Sequence, residues 1–337
     1  MFRQLLTAVL LVSLAATIAS AATNLNGAGA TFPYPIYSKW FSEYHKANPD
    51  VQINYQSIGS GGGIRQLLAG TVDFGASDGP MTDEQLKQAK VPVLHLPTVL
   101  GSVVPAYNLA GLSGEIKFTP EALAGIYLGK ITKWNDKALA SANPGLNLPD
   151  KSIIVIHRSD GSGTTYCFTD YLSKISPEWK NGPGKSTSVN WPTGLGAKGN
   201  EGVAGMIRQM DGSIGYVELI YALQNKIQFG TVRNAAGIFV KASLDSTTAA
   251  AASLKTMPDD FRVSITNAPG KDAYPISTFT WLLIPAQFSD HAKGQAVVNF
   301  LNWMLENGQS MVQQLNYAPL PQTVAEKVRA KIKTIKY

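Results

Sequence analysis

A short polar stretch at 158–165 carries the residue types that suit the capture of an anion. It reads Arg-Ser-Asp-Gly-Ser-Gly-Thr-Thr, follows an apolar strand-like run at 153–156 and precedes a predicted helix at 164–174. Free N–H groups and the positive end of the dipole attract anions at the start of a helix. Arg158 can add two parallel charge-assisted hydrogen bonds, and the two glycines let the backbone approach closely. The stretch therefore predicts a site for a small tetrahedral anion.

Two further predicted helix starts carry a hydroxyl beside glycines. Thr31 belongs to the run Gly27–Pro33 before a helix predicted at 33–47, and Ser60 lies just before a helix predicted at 62–69. Serine and threonine are common helix caps, so each feature alone has an ordinary explanation. Three such starts in one chain indicate instead a crevice at the carboxyl ends of strands, where ligands bind in α/β proteins.

Asp78 follows a buried strand predicted at 72–76. An aspartate at this position usually serves as a cap or turn residue. In an anion site it would act differently, because a carboxylate only accepts hydrogen bonds. It would repel a fully ionised anion and favour one that still carries a proton.

No motif for catalysis or metal binding accompanies these residues. Around Ser162, Asp160 and Thr164 occupy positions at which a GxSxG motif needs glycine, and no serine is followed by lysine three residues later. The four histidines show no spacing typical of metal ligands: His45, His95, His157 and His291. We therefore predict no catalytic residue, no metal and no cofactor.

The segment Gly194–Gly199 matches the pattern GxGxxG, and Glu218 lies further along the chain. A dinucleotide site needs a strand directly before these glycines. Trp191-Pro192 and a polar, turn-rich segment precede them instead, so we do not expect a dinucleotide site here.

The first 22 residues have the form of a secretory signal peptide. Arg3 precedes a mostly apolar run at 5–18, and Ala19-Ser20-Ala21 has the small-x-small form of a cleavage site. An anchor helix is the alternative, but the run is short for a membrane span and no stop-transfer block follows. We expect cleavage near Ala21/Ala22 and export to the periplasm.

Composition indicates a globular protein with well-formed cores. Removal of 22 of the 337 residues leaves enough chain for two domains, and 45% of the residues are hydrophobic. The single cysteine, Cys167, cannot form an internal disulfide and is expected to be buried. The net charge of +6 suits an anionic ligand without requiring one, and the basic cluster at 327–336 is interpreted as a solvated helix face. We expect no nucleic-acid partner.

Short apolar strands alternate with amphipathic helices along the mature chain. Further strands are predicted at 51–55, 91–100, 103–107, 214–217 and 279–284, and further helices at 119–128, 201–209, 248–255, 292–307 and 325–333. This alternation predicts α/β domains with largely parallel sheets.

Four motifs in order resemble those of the periplasmic phosphate-binding protein of the phosphate-specific ABC transporter. They are Gly27–Pro33, Ile58–Ser60, Asp73–Asp78 and Arg158–Thr164, and similar stretches lie at 126–131, 191–196, 215–218 and 274–276. The resemblance covers essentially the whole mature chain. His157 and Gly61 depart from the usual pattern at its edge.

The resemblance implies a set of phosphate ligands. They are the side chains or backbone N–H groups of Thr31, Phe32, Ser60, Asp78, Arg158, Ser162, Gly163 and Thr164. Asp160 matches the acid that pairs with the site arginine.

The resemblance also implies an α/β fold of the type II periplasmic-binding-protein class. Each of two lobes has a central mixed sheet flanked by helices, and the ligand binds in the cleft between them. We expect lobe one to comprise 23–104 and 272–337, and lobe two to comprise 105–271. Bound phosphate would favour the closed form, because contacts to both lobes exist only there.

The implied function is high-affinity phosphate binding and delivery to an inner-membrane ABC permease, by a monomer that catalyses nothing. Two alternatives belong to other classes of protein. An exported phosphate-ester hydrolase would need the nucleophile and base, or the metal cluster, that the sequence lacks. A phosphate-binding surface or interaction protein would keep the fold and use it elsewhere.

Overall fold

The computed structural model describes residues 22–337, in which strands and helices alternate for most of the chain. The predicted signal peptide at 1–22 lies, but for its last residue, outside the described residues. The strands are β1 Thr23–Gly29, β2 Val51–Ser57, β3 Phe74–Ser77, β4 Val93–Asn108, β5 Lys117–Phe118, β6 Ile154–Arg158, β7 Leu195–Ala197, β8 Ser213–Glu218, β9 Gln228–Phe229, β10 Thr231–Arg233, β11 Phe239–Val240 and β12 Ser277–Pro285.

The α-helices are of very different lengths. They are α1 Tyr34–Ala47, α2 Ser60–Ala69, α3 Asp83–Lys87, α4 Pro120–Tyr127, α5 Lys137–Ala140, α6 Gly163–Ile175, α7 Pro177–Asn181, α8 Gly199–Gln209, α9 Leu219–Gln224, α10 Leu244–Ala252, α11 His291–Glu306 and α12 Gln322–Ile332. A 3₁₀ helix, Gly308–Leu315, follows α11.

The main sheet consists of two sections that share strand β4. The strand order is β2-β1-β3-β12-β4-β8-β6-β7, and β9 pairs with β4 as well. The first section holds the strands up to β12, and the second holds β8, β6, β7 and β9. Helices cover both sections, so the chain forms an α/β fold with two lobes.

Both sections mix parallel and antiparallel pairs. Strands β1, β2 and β3 pair in parallel, but β12 is antiparallel to both β3 and β4. In the second section β6 is parallel to β7 and β8, whereas β4 is antiparallel to β8. The expectation of largely parallel sheets was therefore wrong for the strands that adjoin β4, since β8, β9 and β12 all run antiparallel to it.

Strand β4 was expected as two strands and is one. Its residues from Val93 to Ser102 pair with β12, and its residues from Val103 to Asn108 pair with β8. Gly101 and Ser102 resemble a turn in the sequence, but here they stay extended and pair with Thr278 and Ser277 of β12. The strand thus joins the two sheet sections without a loop.

Helix α1 shows why the first site segment is well positioned. Its side chains Tyr37, Trp40, Phe41 and Tyr44 are buried at helical spacing. The ring of Phe41 lies 5.3 Å from that of Phe300 in α11. Pro33 and Pro35 flank the first residue of the helix, where the missing N–H costs nothing. This packing fixes the start of α1, and with it Thr31 and Phe32.

Helix boundaries differ from the predicted ones by a few residues at several places. Helix α2 begins at Ser60 and not at 62, so Ser60 is its first residue. Helix α10 begins at Leu244 and not at 248, because Ser243 and Ser246 form a reciprocal cap that starts it earlier. Helix α4 is capped by the predicted Thr119.

None of the helices within residues 22–337 combines the length and the apolar character that crossing a membrane requires.

Candidate anion-binding site

Three of the predicted helix starts meet at one place, where the two lobes touch. The N–H of Gly163, the first residue of α6, donates to Ser60 Oγ of α2 over 2.9 Å. The N–H of Gly61 donates to the carbonyl of Gly161 over 2.8 Å. The start of α1 joins them through Thr31, which is bridged to Thr164 by the side chain of Asn200. The sequence-predicted residues are therefore brought together.

Asp78 lies at the centre of this group. Its N–H donates to Ser60 Oγ over 3.3 Å, and Thr280 Oγ1 donates to its Oδ1 over 2.8 Å. A Cβ atom on Gly163 would lie 2.6 Å from Asp78 Oδ2, so only glycine fits there. The backbone at the start of α6 could not otherwise lie so close to Asp78, which directly follows β3.

The Asp78 carboxyl is almost entirely buried, at 1% exposure. Burial raises its pKa to about 7, although the hydrogen bond from Thr280 and the charge of Arg158 oppose the rise. A carboxyl with this pKa can exchange a proton with a ligand near neutral pH.

Arg158 ends β6 and points into the same region, with a side chain that is 1% exposed. Its Nε donates to Asp160 Oδ1 over 2.7 Å and its Nη2 to Oδ2 over 2.5 Å. Burial works against ionisation of Asp160, but the bonds and charge of Arg158 outweigh it and the pKa stays below its usual value. The pair holds one edge of the guanidinium and leaves Nη1 facing Thr164.

Ser162 and Phe32 contribute to the backbone geometry of the site. Ser162 Oγ accepts from the N–H of Thr165 over 3.0 Å, which makes it the N-cap of α6. The carbonyl of Phe32 accepts from Tyr317 Oη over 2.6 Å. Both residues are completely buried.

Sequence reasoning missed Asn200, Thr280 and Tyr221. Asn200 contacts both Thr31 and Thr164, Thr280 contacts Asp78, and Tyr221 Oη donates to the carbonyl of Thr31 over 2.5 Å. Asn200 directly follows Gly199 at the start of α8, a position that capping alone would explain, and Thr280 and Tyr221 lie outside the site motifs. Only the tertiary fold reveals them.

The segment Gly194–Gly199, which matches GxGxxG, supports Arg158 through a contact with Asp160. Part of it forms β7, and α8 begins at Gly199 instead of the expected 201. The N–H of Gly199 donates to Asp160 Oδ1 over 3.1 Å. The segment therefore helps to fix the acid that orients Arg158. His157 stacks on Trp191, with ring centres 4.8 Å apart.

Within residues 22–337, no three histidine, cysteine or acidic side chains are grouped as a metal site would require.

Comparison with known proteins places this geometry in a class. Residues 15–307 match the model of the PBP superfamily domain. A solved structure with a TM-score of 0.75, described as a high-affinity periplasmic phosphate-binding protein bound with phosphate, is 22% identical and covers 91% of this chain and 93% of its own. The fold is therefore that of a type II periplasmic binding protein, as predicted.

Curated relatives define the family more narrowly. The phosphate-binding protein PstS of Xylella fastidiosa (strain Temecula1 / ATCC 700964) is 49% identical over 91% of this chain and 84% of its own length. PstS of Pasteurella multocida (strain Pm70) is 46% identical over 98% of this chain and 96% of its own. The chain belongs to the PstS family of phosphate-binding proteins, whose members are binding components and not enzymes. The resemblance stated from the motifs is confirmed.

Proposed function

We propose that this protein binds inorganic phosphate between its lobes in the periplasm and delivers it to an inner-membrane ABC permease. The observation that carries the proposal is the buried group formed by Arg158, the helix starts and Asp78. Hydrogen-bond donors from both sheet sections surround a single carboxyl whose pKa is about 7. Membership of the PstS family supports the same ligand.

The proposed ligands act in two ways. Asp78 accepts the proton that phosphate still carries near neutral pH, and the other groups donate to its oxygens. These donors are the hydroxyls of Thr31, Ser60, Ser162 and Thr164, the N–H groups of Phe32 and Gly163, and the guanidinium of Arg158. Asp160 orients the guanidinium and does not touch the ligand.

The proposed division into lobes at 104 and 272 assigns site residues to both sides. Lobe one supplies Thr31, Ser60 and Asp78, and lobe two supplies the segment from Arg158 to Thr164. The change of β4's partner between Ser102 and Val103 supports the first boundary. One anion held by both lobes stabilises the closed arrangement relative to an open one.

Delivery to a permease and a periplasmic location rest on the family and on the signal peptide proposed at 1–22. We propose that the exported protein acts as a monomer, with phosphate and the permease as its partners.

A calorimetric titration of ligand-stripped protein with phosphate tests the proposal. We expect one saturable site per chain and weak competition by sulfate. Absence of saturable phosphate binding would reject it. Release of phosphate from a chromogenic ester would favour the hydrolase instead.

A further inference from the structure

The hydroxyls of Thr31 and Thr164 in the proposed phosphate site each accept two hydrogen bonds from N–H groups. Thr31 Oγ1 accepts from the backbone N–H of Asn200 over 3.2 Å and from its Nδ2 over 2.8 Å. Thr164 Oγ1 accepts from Asn200 Nδ2 over 3.0 Å and from Arg158 Nη1 over 3.4 Å.

A hydroxyl has two acceptor lone pairs and one proton to donate. When two N–H groups occupy both lone pairs, the hydroxyl can only donate to the next group that it meets. Thr31 and Thr164 in this state present two protons and no acceptor toward the cleft. The arrangement therefore suits an anion and disfavours a neutral ligand that offers donors.

Asn200 donates three of the four hydrogen bonds that the hydroxyls of Thr31 and Thr164 accept. Its side chain is completely buried, at 0% exposure. Its orientation is fixed, because Oδ1 accepts from the N–H of Glu218 over 2.9 Å. A backbone N–H can only donate, so the amide cannot turn round without leaving that group unpaired. Both N–H bonds of Nδ2 are consequently directed at Thr31 and Thr164.

We infer that Asn200 is a positioning residue that sets the donor direction of the Thr31 and Thr164 hydroxyls. It acts through them and need not touch the ligand. Because Thr31 belongs to proposed lobe one and Asn200 to lobe two, the same bonds form only when the lobes are closed. The inference rests on the proposed phosphate site.

A double-mutant cycle on phosphate affinity tests this inference. Asn200→Leu keeps the approximate volume and removes the amide, and we expect it to weaken phosphate binding on the order of 100-fold. In a background with Thr31→Val and Thr164→Val the hydroxyls are already absent. There the same substitution should cost less than about threefold, because its effect passes through those hydroxyls.

Thr165→Val provides the matched control background. Thr165 adjoins Thr164 in α6, but its hydroxyl contacts Tyr216 and not Asn200. The full effect of Asn200→Leu should persist there. Asn200→Ala repeats the cycle if the leucine variant does not fold, as judged by ligand-free thermal unfolding.

The outcomes separate this inference from the proposed function. No saturable phosphate binding by the wild type would reject both. Saturable binding with equal Asn200 effects in all three backgrounds would reject the role of Asn200 alone, since a packing role acts independently of the threonine hydroxyls.

Discussion

Asp78 is an acceptor in a site whose other polar groups donate. Sulfate and phosphate are both tetrahedral and similar in size, but near neutral pH only phosphate carries a proton. Facing sulfate, an ionised Asp78 would be an unpaired buried acceptor beside a second negative charge. Taking up a proton would relieve that penalty. With a pKa of about 7 this uptake costs little at neutral pH and about 1.4 kcal/mol for each pH unit above it, so the preference for phosphate should grow as the pH rises.

Asp78→Asn should therefore reduce the difference between the affinities for phosphate and for sulfate. The amide keeps the shape and replaces the acceptor with a group that can donate. Parallel titrations of the wild type and the variant with both anions measure the ratio of affinities. An unchanged ratio would mean that Asp78 only shapes the turn after β3.

The same carboxyl should make the closed arrangement of the ligand-free protein less stable relative to the unfolded chain as the pH rises. Its folded pKa is about 7 and its ordinary value 3.8, so the folded state binds the proton more tightly than the unfolded state. The free energy of unfolding then falls between about pH 4 and pH 7 by a contribution on the order of 4 kcal/mol.

Asp78→Asn removes this contribution. We expect the ligand-free variant to gain stability over the wild type at pH 8 and little at pH 4, as measured by urea unfolding. An equal difference in the free energy of unfolding at both pH values would contradict the raised pKa.

Arg158→Ala should weaken phosphate binding by about 2–5 kcal/mol, as expected when one partner of a buried charged contact is truncated. Arg158→Lys is the matched variant. It keeps the charge but cannot form the two-bond contact with Asp160, so its affinity should lie between the two. Binding by the alanine variant within twofold of the wild type would exclude Arg158 from the site.

Single residues were predictable where a local motif carried them. Thr31, Ser60 and Ser162 each mark a helix start beside glycine, and α6 was predicted from the sequence, whereas its cap, Ser162, was not. Asn200 was not predictable, because an asparagine at a helix start has an ordinary capping explanation. The two threonines that it contacts, Thr31 and Thr164, also lie far from it in the sequence.

At the scale of elements, the approach of α6 to β3 depends on a glycine. A Cβ on Gly163 would lie 2.5 Å from the nitrogen of Asp78, so backbone atoms would have to shift. We expect Gly163→Ala to weaken phosphate binding at least tenfold, about 1.4 kcal/mol, by keeping the helix starts apart.

Gly205→Ala is the control for that substitution. Gly205 lies within α8, and a Cβ there would meet nothing within 4 Å. Alanine should stabilise this helix by up to about 1 kcal/mol and leave phosphate affinity unchanged. Equal affinities of both variants in calorimetry would show that the close approach at Gly163 is not needed.

Helices with regular apolar spacing were predictable from the sequence. The strand that both sheet sections share was not. The buried face of α1 and the cap of α4 follow from local pattern. β4 is one continuous strand because it pairs with two partner strands, at residues 213–218 and 277–285. No local signal distinguishes such a strand from two strands joined by a turn at Gly101.

At the scale of the whole molecule, phosphate should shift the protein toward its closed form. Contacts such as Gly61 with Gly161 and Tyr221 with Thr31 link the proposed lobes. Small-angle scattering should show a smaller radius of gyration with phosphate than without it. An identical scattering profile in both states would argue against a hinge. The scattering profiles of Asp78→Asn with and without sulfate give a further comparison.

The position of β12 also bears on the order in which the protein can be made. This strand fills the gap between β3 and β4, yet it is synthesised only after the whole of the second sheet section. A nascent chain that ends before Ser277 therefore has two strand edges with no partner and cannot complete the first section. The hydrogen bond from Thr280 of β12 to Asp78 is likewise available only after nearly the whole chain has been synthesised, so the anion site is completed late.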